Sequence, residues 1–156
     1  MHNYEKLLKR LLDNGVEFVL IGGFAAVVHG CTTLTRDVDA CILFTTTNMA
    51  KLLKALDDVN PRFQQNKRTV DRTAEELARL NNLYLLTDLG SIDLLGEVAE
   101  IGNYKEVFDH SLEMELFGTS CRVLDIDALI RSKEKMGRPK DKEAIVQLRA
   151  IKDSAK

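Results

Sequence analysis

The sequence predicts an α/β (α+β) fold, a mixed sheet flanked by helices with further helices at the C-terminus. Three observations carry this. Segments of helical and strand periodicity are interspersed without strict alternation, two pairs of apolar runs flank short glycine-containing turns, and residues 125–156 read as helix. A chain of 156 residues suits one domain, 1–156, with a sheet core over 1–124 and a helical segment over 125–156. Its 45% hydrophobic and 29% charged residues exclude wholesale disorder.

Each element has a local cause. Tyr4, Leu7, Leu8, Leu11 and Leu12 recur at helical spacing among charged residues, and Asn14-Gly15 stops that helix. Residues 16–21 are a short apolar run expected as a buried strand. Gly22-Gly23 breaks it, and 24–29 suits a short helix ended by Gly30. Residues 38–43 form a second strand, and Thr45, Thr46 and Thr47 offer N-caps for a helix over 48–56. The polar stretch 57–73 is long for a connection and is expected as a mobile flap or a helix without clear limits. Thr73-Ala74-Glu75-Glu76 fits a capping box for a helix to about Leu80. Residues 82–87 and 91–95 form a hairpin around Asp88-Leu89-Gly90, and 113–116 and 120–124 a second around Gly118, with a short helix over 104–110 between them. Asp125 caps a helix over 126–136, Gly137 interrupts, and a last helix starts near Pro139.

Composition narrows the function. A net charge of −2 excludes nucleic-acid coating by bulk positive charge, so an anionic ligand needs a local site. The longest weakly polar run, 18–31, is too short to cross a bilayer, and the first residues lack the basic-then-apolar order of a leader. Cys31, Cys41 and Cys121 form no metal-ligand pattern and read as buried reduced thiols, which implies a cytoplasmic protein without membrane partners.

Three features then point to chemistry. Gly22-Gly23 lies between a strand and a helix N-terminus, where the backbone can approach a phosphate and offer free N–H groups. Asp37-Val38-Asp39 opens a strand, so both carboxylates project from one face while Val38 turns to the core. Asp93, in Ser91-Ile92-Asp93-Leu94-Leu95, is another lone acid among strand formers. Burying such acids unpartnered is costly, and three carboxylates converging from neighbouring strands suit one or two Mg²⁺ ions.

Ile21-Gly22-Gly23, Asp37-Val38-Asp39 after thirteen intervening residues, and Ile92-Asp93-Leu94 together resemble the polymerase-β-type nucleotidyltransferase superfamily. The run from Gly22 to Gly30, Thr35-Arg36-Asp37-Val38-Asp39, and the C-terminal Ser132-Lys133, Gly137-Arg138 and Lys140-Asp141 are similar to its small prokaryotic branch of abortive-infection toxin-like and antibiotic-modifying enzymes. The resemblance implies transfer of a nucleoside monophosphate from a nucleoside triphosphate to a hydroxyl of RNA, protein or a small molecule. It implies that Gly22 and Gly23 cradle the triphosphate, that Asp37 and Asp39 bind both metals, and that Asp93 holds the catalytic metal and helps deprotonate the acceptor. Gly23 stands where many members carry serine, which removes a hydroxyl contact to phosphate.

Other candidates are graded by context. Arg36 can neutralise the acidic pair by a salt bridge or touch phosphate, and Lys133 can reach the nucleotide as a point charge. Arg138 and Asp141 read as an i,i+3 surface pair, and Arg62, Lys67, Arg68 and Arg72 as a solvated basic face that could also attract RNA. His29 suits a helix C-terminus, while His2 and His110 belong to no constellation. The competing readings are a catalytically silent nucleotide-binding or toxin–antitoxin-like interaction module of the same fold, a phospho-acceptor receiver domain and a small glycosyltransferase. A partner protein or a homo-oligomer fits the same residues.

Overall fold

In the computed structural model, which describes residues 3–32 and 35–155, the N-terminal amphipathic segment is helix α1 (Tyr4–Asp13). Asn3 caps the Lys6 amide, and Leu7, Leu8 and Leu11 are buried. His2 lies outside the described residues. Strand β1 (Phe18–Leu20) is buried throughout, and α2 (Gly22–His29) follows at once. This helix starts at the glycines rather than after them, because extended Ile21 already serves as its N-cap. Gly30, at φ 119°, ends it in the left-handed region.

Strand β2 (Asp37–Ile42) leads to α3 (Thr46–Leu56), capped by Thr45. The stretch 57–73 departs from expectation, being neither a helix nor a structureless flap. It holds β3 (Arg62–Phe63), a tight turn through Lys67 at φ 63°, and a return bridge from Arg62 to Thr69. Two residues of strand leave no period to read. Helix α4 (Ala74–Leu77) has both arms of the predicted capping box and ends sooner than expected. The first hairpin is β4 (Asn82–Thr87) and β5 (Gly90–Leu95). A small ribbon of β6 (Glu97–Val98) and β7 (Gly102–Asn103) was not evident from the sequence pattern, again for want of length. Helix α5 (Tyr104–Asp109), the hairpin β8 (Ser111–Leu116) and β9 (Thr119–Leu124), and helices α6 (Ile126–Met136) and α7 (Pro139–Ser154) complete the chain.

Seven strands form one mixed sheet in the order β3-β4-β5-β2-β1-β9-β8. Strand β2 runs antiparallel to β1 and parallel to β5. Along β2 and β5 the core-facing residues Val38, Ala40, Ile92 and Leu94 are fully buried, and the residues between them look out from the other face. That alternation presents the acids together. On the far side of β2, His29 of α2 donates from Nε2 to the Leu124 carbonyl at 2.8 Å, a structural tie. All three cysteines are free and buried, and no described helix is long and apolar enough to cross a membrane.

Asn48 of α3 is 1% exposed and clamps the open ends of β1 and β2. Its amide donates to Glu17 O (3.0 Å) and Leu43 O (2.8 Å), and its Oδ1 accepts from Glu17 N (2.8 Å). Truncation would orphan Glu17 N, while Glu17 O and Leu43 O keep the amides of Leu43 (3.4 Å) and Thr45 (3.1 Å). Asn48→Ala is expected to lower unfolding free energy by about 2 kcal/mol, measured by urea denaturation. A change under about 1 kcal/mol would show that water replaces the clamp.

Candidate active site

The parallel register of β2 and β5 sets Asp39 directly beside Asp93, with Asp37 one pleat earlier on β2 opposite Ser91. Neighbouring strands lie about 4.8 Å apart, so these carboxylates leave one sheet face within each other's fields. Burial pushes the Asp39 carboxyl up to about 6, and the nearby charges of Asp93 and then Asp37 push in the same direction. A hydrogen bond from the Gly23 amide and the positive charge of Lys133 pull it back. Asp93 is also raised, chiefly by burial, against the opposing effect of a hydrogen bond from Gln64.

The glycine pair is shaped by the acid it faces. Ile21 N donates to Asp39 O at 3.0 Å, tying the start of α2 to β2. Gly22 adopts φ +62°, and a Cβ there would lie 2.7 Å from Asp39 Oδ2. Both the conformation and the contact require glycine. Gly23 differs, since its nearest neighbour to an added Cβ is Thr35 Oγ1 at 3.6 Å, ordinary contact distance.

Lys133 reaches the same field from α6. Its side chain is 7% exposed, with Nζ 3.7 Å from Asp141 Oδ1. Burial lowers its pKa, while Asp141 and, after the opposing charge of Arg138, Asp39 favour its charged form. Asp141 is 1% exposed, which corrects the expected surface pair with Arg138. Arg138 Nε donates to Asp141 Oδ2 at 2.6 Å and its Nη2 to Oδ1 at 3.1 Å, making Asp141 a buried acid shared by two cations. The expected salt bridge of Arg36 is also corrected. Its side chain is exposed and joins no ion pair among the described residues, and its carbonyl accepts a hydrogen bond from the Tyr4 hydroxyl.

Gln64 and Tyr4 enter the site unannounced. Gln64 Nε2 donates both to Leu85 O (3.0 Å) and to Asp93 Oδ1 (2.9 Å), fixing the carboxylate against the sheet. Polar residues in an aperiodic stretch carry no signal that one of them does this. Tyr4 stands edge-on to Phe24, ring centroids 5.6 Å apart, and its hydroxyl pKa is raised by burial and then by Asp37 and Asp39. Its helical spacing marked it as core alone.

Strand, glycine turn, paired acids and a third acid in register now stand together, and a family comparison meets them. Residues 1–156 match the family described as nucleotidyl transferase of unknown function (DUF2204). The chain belongs to this family. Nucleotidyl transferases also share its fold. The lincomycin-bound lincosamide antibiotic adenylyltransferase LnuA is 17% identical at TM-score 0.63, covering 97% of this chain and 99% of its own. The antibiotic-resistance factor ANT(2'')-Ia in solution is 14% identical at TM-score 0.61, covering 98% and 82%. Its complex with adenylyl-2''-tobramycin gives 13% identity at TM-score 0.57, covering 97% and 93%. No curated protein sequence matches the chain.

Among the described residues no three Asp, Glu, His or Cys side chains stand gathered as a ready-made metal cage. The fit to a divalent cation rests on donor chemistry. Asp37, Asp39 and Asp93 supply hard oxygens on one face, and Asp39 is raised first by burial and then by the neighbouring charges of Asp93 and Asp37, both of which a bound cation would oppose.

Two outcomes follow from the Asp39 environment. The folded carboxyl holds its proton more tightly than the unfolded one, so ionising it opposes folding. In magnesium-free buffer, wild type should therefore lose stability relative to Asp39→Asn as pH rises from about 3.8 through about 6. The change in the difference approaches about 3 kcal/mol at 1.36 kcal/mol per pKa unit, and parallel denaturation curves at every pH would contradict it. Gly22→Ala should cost at least about 1–2 kcal/mol from its left-handed backbone alone, whereas Gly23→Ser should melt within a few degrees of wild type in calorimetry.

Proposed function

We propose that the protein moves a nucleoside monophosphate from a nucleoside triphosphate to an acceptor hydroxyl in a Mg²⁺-dependent reaction. The observation that carries this reading is the Asp39–Asp93 register with Asp37 on the same face, set against the Gly22-Gly23 turn. Asp37, Asp39 and Asp93 would hold the metal, one ion or two. Bound there, Mg²⁺ supplies the missing positive charge, lowers the pKa of an attacking hydroxyl and steadies the triphosphate leaving group.

The remaining work falls to the chain itself. Gly22 and Gly23 would cradle the triphosphate at the start of α2, with the Gly22 amide as its donor, since the Gly23 amide is given to Asp39. Lys133 adds a buried point charge, held but not quenched by Asp141 at 3.7 Å. Arg36, exposed and without an ion-pair partner among the described residues, can swing onto a phosphate. Gln64 engages Asp93 Oδ1, which leaves Oδ2 to take the acceptor's proton. The acceptor oxygen then bonds to the α-phosphorus as the bond to the bridging oxygen breaks and pyrophosphate departs. The shared fold supports this direction, since one neighbour is a lincomycin-bound adenylyltransferase and another holds adenylyl-2''-tobramycin.

Labelled nucleoside triphosphates and Mg²⁺, incubated with fractionated cell extract, should give label transfer and pyrophosphate. Asp39→Asn is expected to reduce both by about 100-fold or more. Magnesium should raise the melting temperature of wild type near pH 7 and not that of Asp39→Asn. Gly23→Ser restores a phosphate-facing hydroxyl in available space and should tighten nucleotide binding about 2- to 10-fold by calorimetry. Full activity in Asp39→Asn would refute the enzyme, and nucleotide binding without turnover would favour a silent module.

A further inference from the structure

Basic charge is concentrated beside the acids in a chain that is acidic overall. Residues 62–72 carry Arg62, Lys67, Arg68 and Arg72 against one acid, Asp71, while the whole chain has net charge −2. Arg62 faces Asp88 at 3.7 Å, but Arg68 and Arg72 are exposed and join no ion pair among the described residues. They line a cavity of about 460 Å³ with Asp71, Phe63, Asn66, Asn82 and Tyr84. Two arginines against one acid give this wall a net positive charge, beside aromatic rings and side-chain amides.

Two features tie the cavity to the proposed chemistry. Tyr84 is the direct cross-strand partner of Asp93, so both leave the same face of the sheet. Gln64, which holds Asp93 Oδ1, is followed by Gln65 and Asn66 in the cavity wall, and its own amide is anchored to Tyr84 O at 3.1 Å. One short turn therefore borders both the cavity and the acid.

We propose that this cavity is the acceptor subsite and that the acceptor is a phosphate-bearing nucleotide, free or as part of an RNA strand. Arginine forks match phosphate oxygens, aromatic faces stack on bases, and asparagine amides reach base edges. A polyamine-like acceptor would meet repulsion from the same wall. The assignment rests on the nucleotidyl-transfer reading for the fate of the bound acceptor, while binding can be measured separately.

The test uses the full chain with its nucleotide site filled by a non-hydrolysable ATP analogue and Mg²⁺. The probes are a fluorescein-labelled single-stranded RNA 12-mer, followed by anisotropy over a salt series, and cytidine 5′-monophosphate, followed by calorimetry. Wild type should bind at least one of them. Arg68→Ala/Arg72→Ala, which alters only exposed side chains, should weaken that binding about tenfold or more, and for RNA should flatten the log-affinity against log-salt slope by about 1.4. Lys54→Ala, exposed on α3, should bind like wild type. Arginine-dependent binding of the monophosphate assigns a free nucleotide, and of the 12-mer alone an RNA strand. Binding of neither probe, equal binding by the double variant, or equal weakening in Lys54→Ala overturns the proposal. Analogue binding on the same samples keeps the readings apart: its failure in wild type counts against nucleotidyl transfer, and its success with failed probes counts against this subsite alone.

Discussion

The interaction on which the site depends is a repulsion. Asp39 and Asp93 sit side by side on the central parallel strands, and Asp37 adds a third charge on the same face. Burial first, and then the charges of Asp93 and Asp37, disfavour the ionised state of Asp39 and push its pKa up to about 6 against the pull of Gly23 and Lys133. A sheet selected for stability alone would place apolar residues there. Much of the surrounding structure answers that repulsion. Gly22 leaves space for the Asp39 carboxylate, the Gly23 amide donates to it, and Lys133 faces it from α6. Gln64 holds Asp93 from the edge of the sheet.

The C-terminal helices control how much positive charge reaches the acids. Lys133 is buried, which by itself favours neutral amine, and Asp141 offsets that tendency. Asp141 is in turn gripped by the Arg138 guanidinium and backbone amide, so its position follows from the start of α7. Its distance from Lys133, 3.7 Å, makes an ion pair but exceeds a normal hydrogen bond. Asp141 and Asp39 thus favour the charged ammonium against the larger, opposing effect of burial.

What was legible in the sequence follows from the cost of burial. Asp39 and Asp93 stood out because a lone acid in an apolar strand demands a reason, and the period of two placed Asp37 and Asp39 on one face. Helix caps at Thr45, Thr73 and Asp125 were legible because side chain and amide are neighbours in sequence. The pairing of β2 with β5 is a long-range choice that the strands do not encode locally. Asp141 was misread for the same reason, since spacing shows its partner Arg138 but not the helix that buries it. Gln64 and the two-residue β3 were invisible because neither periodicity nor composition marks one amide or one short pairing.

The same distinction separates fold from specificity. Neighbours at 13–17% identity and TM-scores of 0.57–0.63 share a backbone path, not a set of side chains. The path accounts for strand, glycine turn and the meeting of the acids. It cannot choose an acceptor, because that choice belongs to surfaces beside the acids. In this chain the surface we propose for that choice is the 62–72 turn against the β4 edge, where basic side chains outnumber acidic ones. An antibiotic rich in amines would lose electrostatic energy on approaching it, whereas a phosphate would gain. Shared architecture with antibiotic-modifying proteins is therefore compatible with a substrate of opposite charge.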